Sequence, residues 1–232
     1  MPTIDTLHEL LKHELKDLYS AETQIIDALP DMVKAAANAE LKKALQQHLA
    51  VTKAQKKRLE QVQKLLGEEN TVPEKKGFFA NLFTSSEGEQ HCKALEGLVK
   101  EGNSLLQEDM SPEVMDAAII AATQKIEHYE ISSYGTARAF ALQLQLKEVA
   151  NLLSETLKEE YEADDALTAL AISKINLEAE PTAGKENIPP EKKSKAPSPK
   201  VVKKAAPKKV AKKSNAAPPK KSVSKAKAAK RK

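Results

Sequence analysis

A chain of 232 residues with one cysteine, Cys92, can form no intrachain disulfide, and no apolar run approaches the roughly 20 residues needed to cross a bilayer. The net charge of +4 conceals two opposed parts: residues 181–232 hold 18 Lys and Arg against 2 acidic residues, a net of +16, which leaves residues 1–180 at −12. Such a split excludes a uniformly charged globule and points to a folded acidic body, 1–180, with a basic interaction tail, 181–232.

The first element is expected over about Asp5 to Ala37, with Leu7, Leu11, Leu18, Ile25, Ile26, Leu29 and Val33 at helical spacing. Pro30 removes one backbone donor there and predicts a kink. A second helix is expected from about Glu40 to Leu66, with Leu41, Leu45, Leu59, Val62 and Leu66 in its stripe and Gly67 as C-cap. A polar stretch containing Phe78, Phe79, Leu82 and Phe83 follows, then a short helix over about His91 to Gln107. That aromatic insert either docks on the body or forms a self-association patch. Ser111-Pro112-Glu113 is a helix start, with a capping hydroxyl, a first-turn proline and an acid at the positive end of the dipole. It opens a third long helix to about Leu144, and a fourth runs from about Lys147 to Leu177.

Two tight hairpins joined by one long crossover define the expected fold class: all-α, a ferritin-like four-helix bundle. After Glu180 the apolar periodicity stops and Lys, Ala and Pro dominate. Such a composition buries too little apolar surface to offset its ordering entropy, so disorder is expected there.

Charged residues interrupt the apolar stripes at informative places. Glu22 lies between Leu18 and Ile25, and the second helix turns polar at His48, Thr52 and Gln55. Glu127 and Glu130 share a face of the third long helix, and Glu160 and Asp164 interrupt the fourth. A lone buried carboxylate costs several kcal/mol, whereas clustered carboxylates from facing helices supply the oxygen donors of a metal site. The bland alternative is that these acids pair with Lys or Tyr at helix edges. His8, His13 and His91 read as solvated, His128 as a surface or interface residue, and His48 as a core-facing group satisfied by a hydrogen bond.

The segments LKDLYSAETQIIDALPDMVKAA, HCKALEGLVKEG, DAAIIAATQKIEHYEISSYGTARAFA and LLSETLKEEYEADDALTALA resemble the YciF-like bacterial stress proteins of the ferritin-like superfamily. The resemblance spans about Thr6 to Ile172 and implies a bundle, often a homodimer, with no established catalysis. It also implies that Glu22, Glu127, Glu130 and Glu160 stand at metal-ligand positions, with Asp164 where a histidine is expected. The second helix departs from the pattern: Val51 stands where the family has an acid, and Gln55 is a weak ligand. One bridging carboxylate is therefore missing, leaving a site for iron or another divalent metal, or a polar core without one.

The tail resembles the Lys/Ala/Pro tails of histone H1 and its bacterial counterparts. Lys200, Lys203, Lys204, Lys208, Lys209, Lys212, Lys213, Lys220, Lys221, Lys230, Arg231 and Lys232 are its candidate phosphate contacts. Lysines on a flexible chain neutralise phosphates without reading bases. The competing occupant is the acidic body itself, and no aromatic or lipidation signal points to a membrane. The N-terminus lacks an apolar signal-peptide core, and with the single cysteine this suits a cytoplasmic, nucleoid-associated protein. The leading expectation is a non-enzymatic, DNA-binding stress protein. A di-iron oxidase or peroxide-consuming enzyme and a purely structural stress protein are the alternatives.

Overall fold

The computed structural model describes residues 4–68 and 90–180, all within the first of the two units, Met1–Gly184 and Lys185–Lys232, into which the chain divides. The aromatic insert and the basic tail lie outside the described residues. So do the twelve tail residues named above, Lys200 through Lys232.

The described residues are helical, with no strand among them. α1 spans Leu7–Ala35, α2 Ala39–Glu68, α3 Lys93–Leu105, α4 Pro112–Gln143 and α5 Lys147–Leu170. α5 continues through a π-helical turn, Ala171–Ile175, into the short α6, Asn176–Ala179. α1 pairs with α2 and α4 with α5, and the hairpins meet through α1–α4 and α2–α5. The long crossover carries α3, which packs on α4 and α1. This is the expected bundle, and the helix ends fall within a few residues of their sequence signals.

Local chemistry sets those ends. Thr6 and Glu9 form a capping box at the start of α1: the Glu9 amide donates to Thr6 Oγ1, and the Thr6 amide donates to Glu9 Oε2 at 2.8 Å. Ser111 Oγ accepts from the Val114 amide, as its sequence position predicts. α1 continues through Pro30 to Ala35, and α2 runs past Gly67 to Glu68. The α1–α2 turn is closed from outside: the buried carboxylate of Asp116 on α4 accepts from the amides of Ala37 at 2.7 Å and Asn38 at 2.8 Å. Asn38 Oδ1 in turn accepts from the Glu40 and Leu41 amides. The α4–α5 turn places Gln145 at a φ of 63°, in the left-handed region that favours glycine.

Two apolar cores fill the bundle. One holds Ile25, Leu29, Met32, Leu41, Leu45, Ile119, Ile120, Ile126 and Leu167; the other holds Leu11, Leu15, Leu18, Leu59, Val62, Leu66, Tyr134 and Leu153. In each of the four long helices the polar residues sit between members of the two cores. Cys92, fully buried, caps α3; its Sγ lies 3.0 Å from Tyr129 Oη, which also donates to Asp17.

Candidate metal centre

The layer between the cores contains Glu22 from α1, His48, Thr52 and Gln55 from α2, Thr123, Glu127 and Glu130 from α4, and Thr156 and Glu160 from α5. All are buried. His48, Glu127, Glu130 and Glu160 each bring a donor atom into one group whose members lie within 4.8 Å of one another. Ligands around a single ion at about 2.1 Å are separated by at most about 4.2 Å, so a small contraction would let one cation bind all four.

The group lacks the partners that an uncharged polar layer would need. Both oxygens of Glu127, both of Glu130, one each of Glu22 and Glu160, His48 Nε2 and Gln55 Oε1 are buried without a hydrogen bond. Buried polar atoms are nearly always satisfied, so this concentration of orphans in one layer fits a site built for a cation. One nitrogen and several carboxylate oxygens form a donor set suited to iron, manganese or zinc.

Electrostatics agree. Burial pushes the carboxyls of Glu22, Glu127 and Glu130 well above the usual carboxylate range, and repulsion from Glu160 adds to it in each case. Glu160 rises to about 7, again chiefly through burial; contact with Glu127, the Arg58 charge and the Gln55 amide hold it back. Burial lowers His48 to about 4. His48 Nε2 lies 3.1 Å from Glu127 Oε1, a distance that would ordinarily raise a histidine. The two are reconciled because Glu127 itself stays protonated without a metal and offers no negative charge. A bound cation would reverse this balance and displace the carboxyl protons.

Polar neighbours orient the outer members. Gln55 Nε2 donates to Glu160 Oε1 and, at 3.2 Å, to Glu159 Oε2. Arg58 grips both oxygens of Glu159, at 2.8 and 2.9 Å, and donates to Thr156 Oγ1 at 2.8 Å. Glu160 is thus positioned by an α2–α5 network.

Of the five sequence candidates, Glu127, Glu130 and Glu160 converge. Glu22 stands beside them, accepting a hydrogen bond from the buried Tyr134 and feeling the charge of Glu160, but is outside the four-residue group. Asp164 is turned aside: Gln124 Nε2 donates to its Oδ1 at 2.9 Å, and exposed His128 approaches its Oδ2 at 3.3 Å. His48 was expected to be satisfied by a hydrogen bond, and its Nε2 makes none. The signal that could have placed it was the acid excess: four stripe-facing glutamates with no stripe-facing cation.

A crossover four-helix bundle with a buried carboxylate layer between its two apolar cores defines the class. The profile of the family described as Domain of unknown function (DUF892) matches residues 6–78 and 76–180, and the chain belongs to that family. It is 40% identical over 175 residues to Protein YciF of Escherichia coli (strain K12), covering 75% of this chain and 96% of that protein. The crystal structure of the E. coli stress protein YciF superposes with a TM-score of 0.64 at 39% identity, over 75% of this chain and 99% of that one. YcfI of Rhodopseudomonas palustris superposes with a TM-score of 0.61 at 38% identity, over 71% and 94% respectively. The chain is thus YciF-like in both sequence and fold.

Proposed function

We propose that the bundle is a divalent-metal-binding stress protein that holds one iron or manganese ion between His48, Glu127, Glu130 and Glu160. The observation that carries this reading is the cluster of donor atoms without hydrogen bonds in a buried layer. A metal would satisfy them together, drawing all four donors onto one cation. The test is metal analysis after anaerobic incubation with Fe(II) or Mn(II) and gel filtration. About one ion per chain is expected, lost in His48→Ala and in Glu127→Gln. Occupancy that is negligible, or indifferent to both changes, sinks the reading.

A second role rests on a separate observation, the net +16 of residues 181–232 against the −12 of the body. This composition supports non-specific binding of DNA through Lys200, Lys203, Lys204, Lys208 and the following lysines, with phosphates as the only contacts. A protein carrying both properties would hold a redox-capable metal close to nucleic acid in stressed cells. Gel shifts of the full chain against a 1–180 truncation test it, and equal binding by the two rejects it.

A further inference from the structure

Three of the four converging side chains, Glu127, Glu130 and Glu160, have no exposed surface at all, and only His48, at 9%, retains any. His48 also lines a cleft of ≈ 210 Å³ between α2 and α5, whose walls include Ala44, Val51, Thr123, Ala163 and Ala166. Glu159 and Glu162 border the same cleft. We propose that this cleft is the loading site of the centre: a divalent cation binds first at its acidic border and passes to His48, which hands it inward to Glu127. The inference rests on the metal reading above and adds the place where the cation is received.

Several observations converge on that passage. His48 Nε2 makes no hydrogen bond, is buried to about nine-tenths, and lies 3.1 Å from Glu127 Oε1, so one nitrogen joins the cleft to the carboxylate layer. Glu162 is largely exposed, and its ion pair among the described residues is with Lys158 at 3.1 Å, one helical turn away. Such an exposed pair is weak, so its carboxylate is available to an incoming cation. Glu159 is already gripped by Arg58 and serves as a fixed oxygen rather than a mobile one. The small side chains of Ala163, Ala166 and Ala44 keep the passage open. The volume is equivalent to about seven water molecules at 30 Å³ each, enough for a partly hydrated ion. A neighbouring cleft between the same helices, lined by Gln61, Lys64, Leu65, Glu148, Asn151, Leu152 and Glu155, contains none of the four donors and serves as the internal control.

The experiment is stopped-flow loading of the full chain with Co(II), read by its visible absorption, together with the final stoichiometry after equilibration. Glu162→Gln is expected to slow loading about threefold or more at low salt, in keeping with electrostatic steering of a cation. Ala163→Phe, which fills the passage, should slow it further. Both variants should reach the stoichiometry of the unaltered chain, and Glu148→Gln at the control cleft should change neither quantity. Helix content by circular dichroism confirms that Ala163→Phe is folded, and Glu162→Gln carries the test if it is not. Loading at unaltered rates in Glu162→Gln overturns the loading site while leaving the centre standing. Failure of the unaltered chain to bind Co(II), Fe(II) or Mn(II) at equilibrium overturns the centre and the loading site together.

Discussion

A carboxyl group sealed away from water without a cation is costly, and this protein seals four of them in one layer. Their titration gives a signed expectation. Raised pKa values mean that the metal-free native state binds more protons than the unfolded chain, so stability is greatest below the ordinary carboxylate pKa and falls as pH rises. For Glu160 the loss runs from about 4.5 to about 7, and for Glu22, Glu127 and Glu130 it continues upward. His48, lowered to about 4, opposes this: its contribution is present above 6.5 and lost as pH falls toward 4. Four carboxyls outweigh one imidazole. Urea midpoints of chelator-treated protein should therefore drop between pH 6 and 8, and saturating Mn(II) should abolish the drop. By the same reasoning Glu130→Leu, which removes two buried oxygens without hydrogen-bond partners, should stabilise the metal-free protein by about 1–3 kcal/mol while abolishing metal retention. Chemical denaturation with chelator checks the first half and metal analysis the second. The acids themselves were legible in the sequence, because each interrupts an apolar stripe at helical spacing. Asp164 lies one turn beyond Glu160, where a helix has rotated about 40° past alignment, and there Gln124 and His128 engage it. The grouping of His48 with the glutamates was not legible, because a histidine read alone gives no hint of what faces it across a bundle.

At the scale of the element, the sequence displayed its helices well and their fastenings poorly. Caps such as Ser111 and Thr6 act within four residues of themselves, so pattern reading finds them. Asp116 acts on the α1–α2 turn across 78 and 79 positions, and nothing in its own neighbourhood announces that. Asp116→Ala removes two charge-assisted hydrogen bonds to backbone amides and should cost about 2–3 kcal/mol, read as a lower denaturant midpoint with an unaltered slope. The α4–α5 turn predicts the opposite sign. Gln145 holds a left-handed φ of 63° that a side chain disfavours, so Gln145→Gly should raise stability by about 0.5–1 kcal/mol.

For the molecule as a whole, the split charge makes salt the deciding variable. If about eight tail lysines engage phosphates, log K against log salt should have a slope of roughly −7, and converting Lys208, Lys209, Lys212 and Lys213 to Gln should reduce it by about half. The bundle was readable because two short connections and one long one leave few ways to pair four amphipathic helices. The separation of its core into two apolar halves by a polar layer was also implicit in where the stripes turn polar. Cys92 offers something of a different kind. As the chain's one thiol, fully buried at the start of α3 and raised further by burial beside Asp17, it can meet an alkylating reagent only when the crossover lifts away. Its labelling rate is therefore a clock for breathing of the crossover. With the metal bound it should tick more slowly wherever that opening also disturbs α4, the helix that carries both Tyr129 and Glu130.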